Sequence, residues 1–179
     1  MSTQPMTEPL PAGVFNRRLK AVNGTKPTLA SLVGRLGTVV IFAGNGCPTV
    51  RAYEERLKAL RENWGPQDIE LVVINANNPH LSPPDTFGEM IKRARERDYN
   101  FPYLKDADGA VARCFGAVCT PHAFLLSPNH EILYRGRIDN SRLGTTIESH
   151  DLEDAIRDVV AGRAVMVERT EPFGCSIVW

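Results

Sequence analysis

The stretch Val39-Val40-Ile41-Phe42-Ala43-Gly44-Asn45-Gly46-Cys47-Pro48-Thr49-Val50 decides how the rest of the chain is read. Its first half is a run of β-branched and aromatic residues, the composition of a buried strand. Two glycines break the run, and Pro48 follows Cys47 where a helix accepts proline without losing a backbone bond. The segment therefore predicts a strand, a flexible turn and a helix that begins next to Cys47. At a helix N-terminus the unpaired N–H groups and the positive end of the dipole favour a thiolate over a thiol. Cys47 is thus the candidate nucleophile. The bland alternative, a buried structural cysteine, suits the burial habit of free cysteine but not a glycine-flanked turn.

Working outward, the segment from Pro48 to Asn63 places Val50, Tyr53, Leu57 and Leu60 at helical spacing, and Trp64-Gly65-Pro66 ends the helix. Ile69 to Ile74 has the apolar density of a strand buried on both faces of a parallel sheet, which completes a strand, helix, strand crossover. Upstream, Asn23-Gly24 predicts a hairpin within Gly13 to Lys26, and Thr28 to Gly34 a helical turn. Downstream, Asp85 is the expected cap of a second helix carrying Phe87, Met90, Ile91 and Ala94 on one face. Its polar run, Lys92 to Asp98, reads as a solvated mixed-charge face rather than a basic binding patch.

Phe101 to Leu104 is a short extended piece, and Ala110 to Phe115 a small helix. Pro121 lies inside the strand-like run Ala117 to Leu126, which suggests a sheet edge or a cis bond beside a functional site. Ser127 to His130 turns the chain into an antiparallel hairpin with Glu131 to Ile138. Asp151 to Ala161 forms a last amphipathic helix, and the apolar end Cys175 to Trp179 is expected to dock back on the body.

The chain of 179 residues suffices for one domain with a substantial core, expected over residues 13–179 behind a loose, Pro-rich tail at 1–12. Its 21 basic and 21 acidic residues cancel, which argues against nucleic acid or an anionic membrane surface as partner. The N-terminus lacks the basic start and apolar run of a secretory signal, and the run Val39 to Ala43 is far short of the roughly 20 residues that cross a bilayer. A soluble, cytoplasmic protein is the expectation. Four cysteines in such a chain point to redox or metal chemistry rather than a disulfide framework. Cys114, Cys119 and His122 match no compact zinc spacing, so no metal is expected, and without a Gly-rich phosphate loop no organic cofactor is either.

Three pieces carry a family resemblance: Phe42 through Val50; Phe101-Pro102-Tyr103-Leu104 with Val118-Cys119-Thr120-Pro121; and Tyr134 to Asp139 with Gly174 to Trp179. They resemble the thioredoxin-like superfamily, and within it single-domain proteins related to the redoxin and peroxiredoxin (AhpC/TSA-like) families. The resemblance implies an α/β fold with a central mixed β-sheet flanked by helices. It also implies that Cys47 is the attacking cysteine and that Pro121 is a cis-proline packed beside it, with Thr120 facing the sulfur. The sequence departs from the family pattern at five positions. Val50 stands where disulfide reductases carry a second cysteine. Val40 and Gly44 stand where peroxiredoxins carry proline and a hydroxyl residue. Gly46 and His122 replace a histidine and an acidic residue.

The expected chemistry is that of a thiol-dependent oxidoreductase, in which Cys47 attacks a hydroperoxide or a protein disulfide. Thr49, Thr120 and Pro121 form the expected substrate slot. Cys175, on a glycine-preceded tail, and Cys119, beside Pro121, are the candidates for resolving the oxidised sulfur, with an external thiol as the third route. A reducing thiol partner such as a thioredoxin would restore the enzyme. Arg51, one turn along the helix, either supports the thiolate by charge or belongs to a surface network with Glu54 and Glu55. His80 and His150 read as polar surface, Cys114 as core, and Arg135 and Arg137 as solvent-facing. The alternative from a different class is a non-catalytic redox-sensing or protein-binding module that keeps the fold alone.

Overall fold

Gly37–Phe42 is buried along its whole length because its alternate residues feed two separate cores. Val39 and Ile41 point into one, with Tyr53, Leu57, Met90, Leu152 and Ile156. Val40 and Phe42 point into the other, with Phe15, Val72, Phe115 and Phe124. A strand apolar on both faces must lie between two layers of helices, and this one does.

The computed structural model describes residues 9–179. Their order is α1 (Ala12–Phe15), β1 (Lys20–Ala21), β2 (Gly37–Phe42), α2 (Pro48–Trp64), β3 (Ile69–Asn75), α3 (Phe87–Glu96), β4 (Tyr103–Lys105), α4 (Ala110–Phe115), β5 (Cys119–Thr120), β6 (His122–Leu126), β7 (Ile132–Gly136), α5 (Asp151–Val160) and β8 (Cys175–Ser176). The main sheet runs β1-β4-β3-β2-β6-β7, and β5 and β8 form a separate two-stranded ladder. β2, β3 and β4 are parallel, whereas β6, β7 and β1 run antiparallel to their neighbours. It is a mixed sheet flanked by helices, the thioredoxin-like arrangement. Residues 1–8 of the expected tail lie outside the described residues.

Several expectations shift. The Asn23-Gly24 turn forms, with Arg18 bridged to Thr28, but residues from Gly13 belong to α1 because the Ala-Gly-Val-Phe segment buries Phe15 as a helical turn. Pro121 does not lie at an edge of the main sheet. It divides the predicted strand into β5 and β6, and the Thr120–Pro121 bond is cis. Asp85 does not cap α3. Thr86 does, accepting the Glu89 N–H through its hydroxyl, while the Asp85 carboxylate turns inward. The Lys92 to Asp98 run is not wholly solvated either. Arg93 and Arg97 reach back to the carboxylate of Glu54, which is 1 % exposed and also receives the Tyr99 hydroxyl. Arg137, expected at the surface, is paired with Asp151 at 2.7 Å.

The last fifteen residues return to the body. Glu168 and Thr170 hydrogen-bond along β7 at Arg135, and the chain then crosses to β5. There Cys175 lies opposite Thr120 and Ser176 opposite Cys119. Ile177 enters the second core, so the terminal segment is held rather than frayed.

Candidate active site

The turn between β2 and α2 delivers Cys47 as the N-cap residue of α2, with Pro48 at the first helical position. Its sulfur is almost covered, the residue being 5 % exposed, and as a thiol it donates to the Thr120 carbonyl at 3.3 Å. Burial pushes the Cys47 thiol up. That effect is outweighed by groups that favour the anion: the Cys175 thiol, the Val50 N–H in the first turn of α2, the Thr120 hydroxyl and the Cys175 N–H. The net direction is down, as a helix N-terminus with added donors requires. The Thr120 hydroxyl is buried and has no hydrogen-bond partner of its own, so it is free to serve the sulfur.

Cys175 is the second thiol at this spot. The β5–β8 register sets its backbone against Thr120, the residue whose carbonyl receives the Cys47 thiol, and the two thiols shift one another's titration. Burial and the adjoining Cys47 push it up to about 11, with partial relief from the Thr49 backbone and the Arg142 guanidinium. The two sulfurs therefore differ in character. Both are free thiols, as are Cys114 and Cys119.

Cys119 is buried on the same short strand, but alternation turns its sulfur toward the Pro121 carbonyl, 3.7 Å away. Burial and the charge of Cys47 raise its thiol to about 11. Thr49 is buried beside the site, and its hydroxyl accepts from Arg142 at 3.2 Å. Arg51 is exposed and donates Nε to the Asn45 carbonyl at 3.1 Å, so it braces the Cys47 turn. No salt bridge joins Arg51 to Glu54 or Glu55 among the described residues.

Beneath the turn lies a buried polar cluster. Asp85 accepts the Asn45 N–H at 2.6 Å, the Asn75 carboxamide at 2.8 Å and the Asn77 carboxamide at 3.1 Å, together with the Ser82 hydroxyl. The Lys105 ammonium donates to the carbonyls of Asn77 and Asp85. Asn77 in turn accepts the Val178 N–H at 2.9 Å, which ties the cluster to the terminal segment. Gly44 is required at this crossing, because a Cβ there would press on the Asn77 carboxamide.

A profile of the AhpC/TSA family matches residues 13–135, more than half of the chain. The chain belongs to the AhpC/TSA family. An uncharacterised conserved protein from Geobacillus kaustophilus is 30% identical, with 98% of this chain and 92% of that one covered and a TM-score of 0.89. A hypothetical protein from Sinorhizobium meliloti 1021 is 29% identical over 99% and 96% of the two chains, with a TM-score of 0.88. Peroxiredoxin Q from Xanthomonas campestris, at 18% identity over 87% and 96% and a TM-score of 0.63, shares the fold. Among curated proteins none matches. Membership in the AhpC/TSA family supports thiol-based, peroxidase-like redox chemistry. No helix of the described residues is long and apolar enough to cross a membrane.

In this AhpC/TSA chain the structure brings together Cys47, Thr120, Pro121 and Cys175, all candidates from the sequence, and adds Arg142, Asn77 and the inward-turned Asp85, which the sequence did not single out for the site. Arg142 sits in an exposed loop 93 positions from Thr49, and no local pattern marks it. Asn77 lies in an Asn- and Pro-rich loop, where loop composition hides its buried side chain. The acidic residue ahead of α3 gave a usable signal, but Thr86 competed for the cap and won.

Proposed function

We propose that the chain is a two-cysteine thiol peroxidase that reduces hydroperoxides through Cys47 and resolves the product with Cys175. The observation that carries this reading is the shared seat of two thiols at Thr120, whose carbonyl receives Cys47 and whose strand partner is Cys175; the downward shift of Cys47 and the upward shift of Cys175 agree with it. In the first step the Cys47 thiolate attacks the terminal oxygen of ROOH and the O–O bond breaks. Sulfenic acid forms on Cys47 and the alkoxide leaves as ROH after taking up a proton. In the second step the Cys175 sulfur attacks the sulfenic sulfur, the S–O bond breaks, and water leaves as the Cys47–Cys175 disulfide forms. An external dithiol, such as that of a thioredoxin, then supplies two electrons and two protons to restore both thiols.

Thr49, Thr120 and Pro121 form the walls of the reacting space. The Thr120 hydroxyl favours the thiolate before attack, and Arg51 steadies the turn through the Asn45 carbonyl. Arg142 joins them as a cation within reach of Thr49 and Cys175.

The test is to add one equivalent of hydrogen peroxide and map disulfides by mass spectrometry. The expected product is Cys47–Cys175. A Cys47–Cys119 product would move the resolving role to Cys119, and a persistent Cys47 sulfenic acid would assign it to an external thiol. Failure of Cys47 to react at all would favour the non-catalytic module.

A further inference from the structure

Among the described residues five arginines are half-buried, and four of them are ion-paired: Arg56 with Asp139, Arg61 with Glu70, Arg93 with Glu54 and Arg137 with Asp151. Arg135 is the fifth. Its guanidinium lies 5.9 Å from the centre of the Phe124 ring and donates to no acceptor among the described residues. α4 ends beside it at Gly116, yet none of the helix's last carbonyls takes one of its N–H groups. A guanidinium carries five donors, and half-burying them unbonded is costly.

The strand register gathers more such groups on the same face. Arg135 is the partner of Phe124 across β6 and β7, and Arg169 is the bridge partner of Arg135 on its other side. Partners across a ladder point the same way. His122, two residues before Phe124, points that way too, and the two rings are 4.4 Å apart. Arg169 is exposed, and neither Glu168 nor Glu171, its acidic neighbours in the chain, forms an ion pair with it. His122 is 4 % exposed, and its Nδ1 accepts the Val118 N–H, so the proton of the neutral ring sits on Nε2. No acceptor among the described residues takes that proton. Burial and the charge of Arg169 lower Arg135, and both guanidiniums disfavour a second proton on the His122 ring. A face that collects donors and positive charge while supplying no acceptor is complementary to an anion.

We propose that His122, Arg135 and Arg169 form a binding site for a small oxyanion, the phosphate or carboxylate group of a soluble ligand, on the face of the main sheet opposite Cys47. Arg135 and Arg169 hold the oxygens through their N–H forks, and His122 donates its Nε2 proton from the neutral ring. His122 is the register partner of Phe42, which with Phe124 belongs to the second core, whereas Cys47 packs in the first. The ligand therefore leaves the reacting space free, and the inference is independent of the peroxidase reading. A bound anion would also tie β7 to the segment that carries the chain from Arg169 on to Cys175.

The test is a titration of the full-length chain with inorganic phosphate near neutral pH, at an ionic strength held constant with chloride, following the histidine ring signals by NMR. The expected result is a saturable shift confined to His122, half complete at about 1–10 mM phosphate, with His80, His130 and His150 as internal references. Arg169→Ala, at an exposed position, should raise that half-point at least about fivefold. Arg135→Lys, which keeps the charge but loses the fork, should raise it by a similar factor. Arg95→Ala, which removes an exposed charge elsewhere, should leave it within about twofold.

A parallel titration with acetate identifies the group: tighter binding of phosphate assigns a phosphoryl ligand, and tighter binding of acetate a carboxylate. The absence of a saturable response to either anion would overturn the site. So would a response that Arg169→Ala leaves unchanged, or one that Arg95→Ala weakens as much, since that would reduce it to general screening.

Discussion

The Asp85 carboxylate accepts the backbone N–H of Asn45 at 2.6 Å, so the turn that presents Cys47 hangs on a side chain 40 positions further along. The same carboxylate holds Asn75, Asn77 and Ser82, and the buried Asn45, Asn75 and Asn77 have no water to fall back on. Asp85→Asn would turn an amino group toward two donors. A loss of about 2–4 kcal/mol in urea unfolding is expected, together with slower alkylation of Cys47 as its turn loosens. Unchanged alkylation in a folded Asp85→Asn chain would separate the cluster from the site.

Thr120→Val tests the hydroxyl without changing side-chain shape. Removing an unpartnered buried hydroxyl should alter stability by less than about 1 kcal/mol. Removing a donor to the anion should raise the Cys47 thiol, moving the midpoint of its iodoacetamide pH profile upward by about 0.5–1 unit. A profile identical to that of the native chain would show that the hydroxyl does not serve the sulfur.

His122, behind Pro121, gives the native state a pH dependence. Burial, with the charges of Arg135 and Arg169, lowers it from 6.5 to about 4. Its Nδ1 accepts the Val118 N–H at 3.3 Å and requires the neutral ring. Between those two values the unfolded chain binds a proton that the native chain refuses, so stability falls as pH drops from 6.5 toward 4. The full effect is on the order of 3 kcal/mol. Chemical denaturation across this window should show the slope, and His122→Gln, which keeps an acceptor, should flatten it.

Glu54 acts in a lower window. Burial alone would push its carboxyl up, but hydrogen bonds from Arg93 and Tyr99 and the charges of Arg93 and Arg97 bring it below the ordinary glutamate range. Its contribution is present above that range and is lost as pH falls through the depressed folded value. Glu54→Ala would strand Arg93 and Tyr99 at a covered site, and a loss of about 2–4 kcal/mol is expected at neutral pH. Thermal melts of the variant beside Glu55→Ala, whose carboxylate is exposed, should show a drop only for the former.

Arg142→Gln addresses the closing step. The guanidinium favours the Cys175 thiolate and bonds Thr49. Its loss should raise the Cys175 thiol by about 0.5–1 unit and slow disulfide closure about three- to tenfold. Stopped-flow measurement of closure after a peroxide pulse would check this, with the rate of Cys47 oxidation as the internal reference.

Much of this architecture was legible in local pattern. The two-faced apolar run of Val39 to Phe42, the helix spacing of Val50 to Leu60 and the punctuation at Gly65-Pro66 each follow from backbone sterics and burial within a few residues, so order and type of the main elements could be read. Cys47 was legible for the same reason: a helix start and its dipole are local facts. Tertiary structure alone decided which partners meet across the sheet. The placement of Cys175 over Thr120 rather than Cys119 over Cys47, the inward turn of Asp85 and the approach of Arg142 to Thr49 depend on contacts between segments far apart in the chain. Their energies come from desolvation and from donors matched to acceptors in space, and no spacing along the chain encodes either.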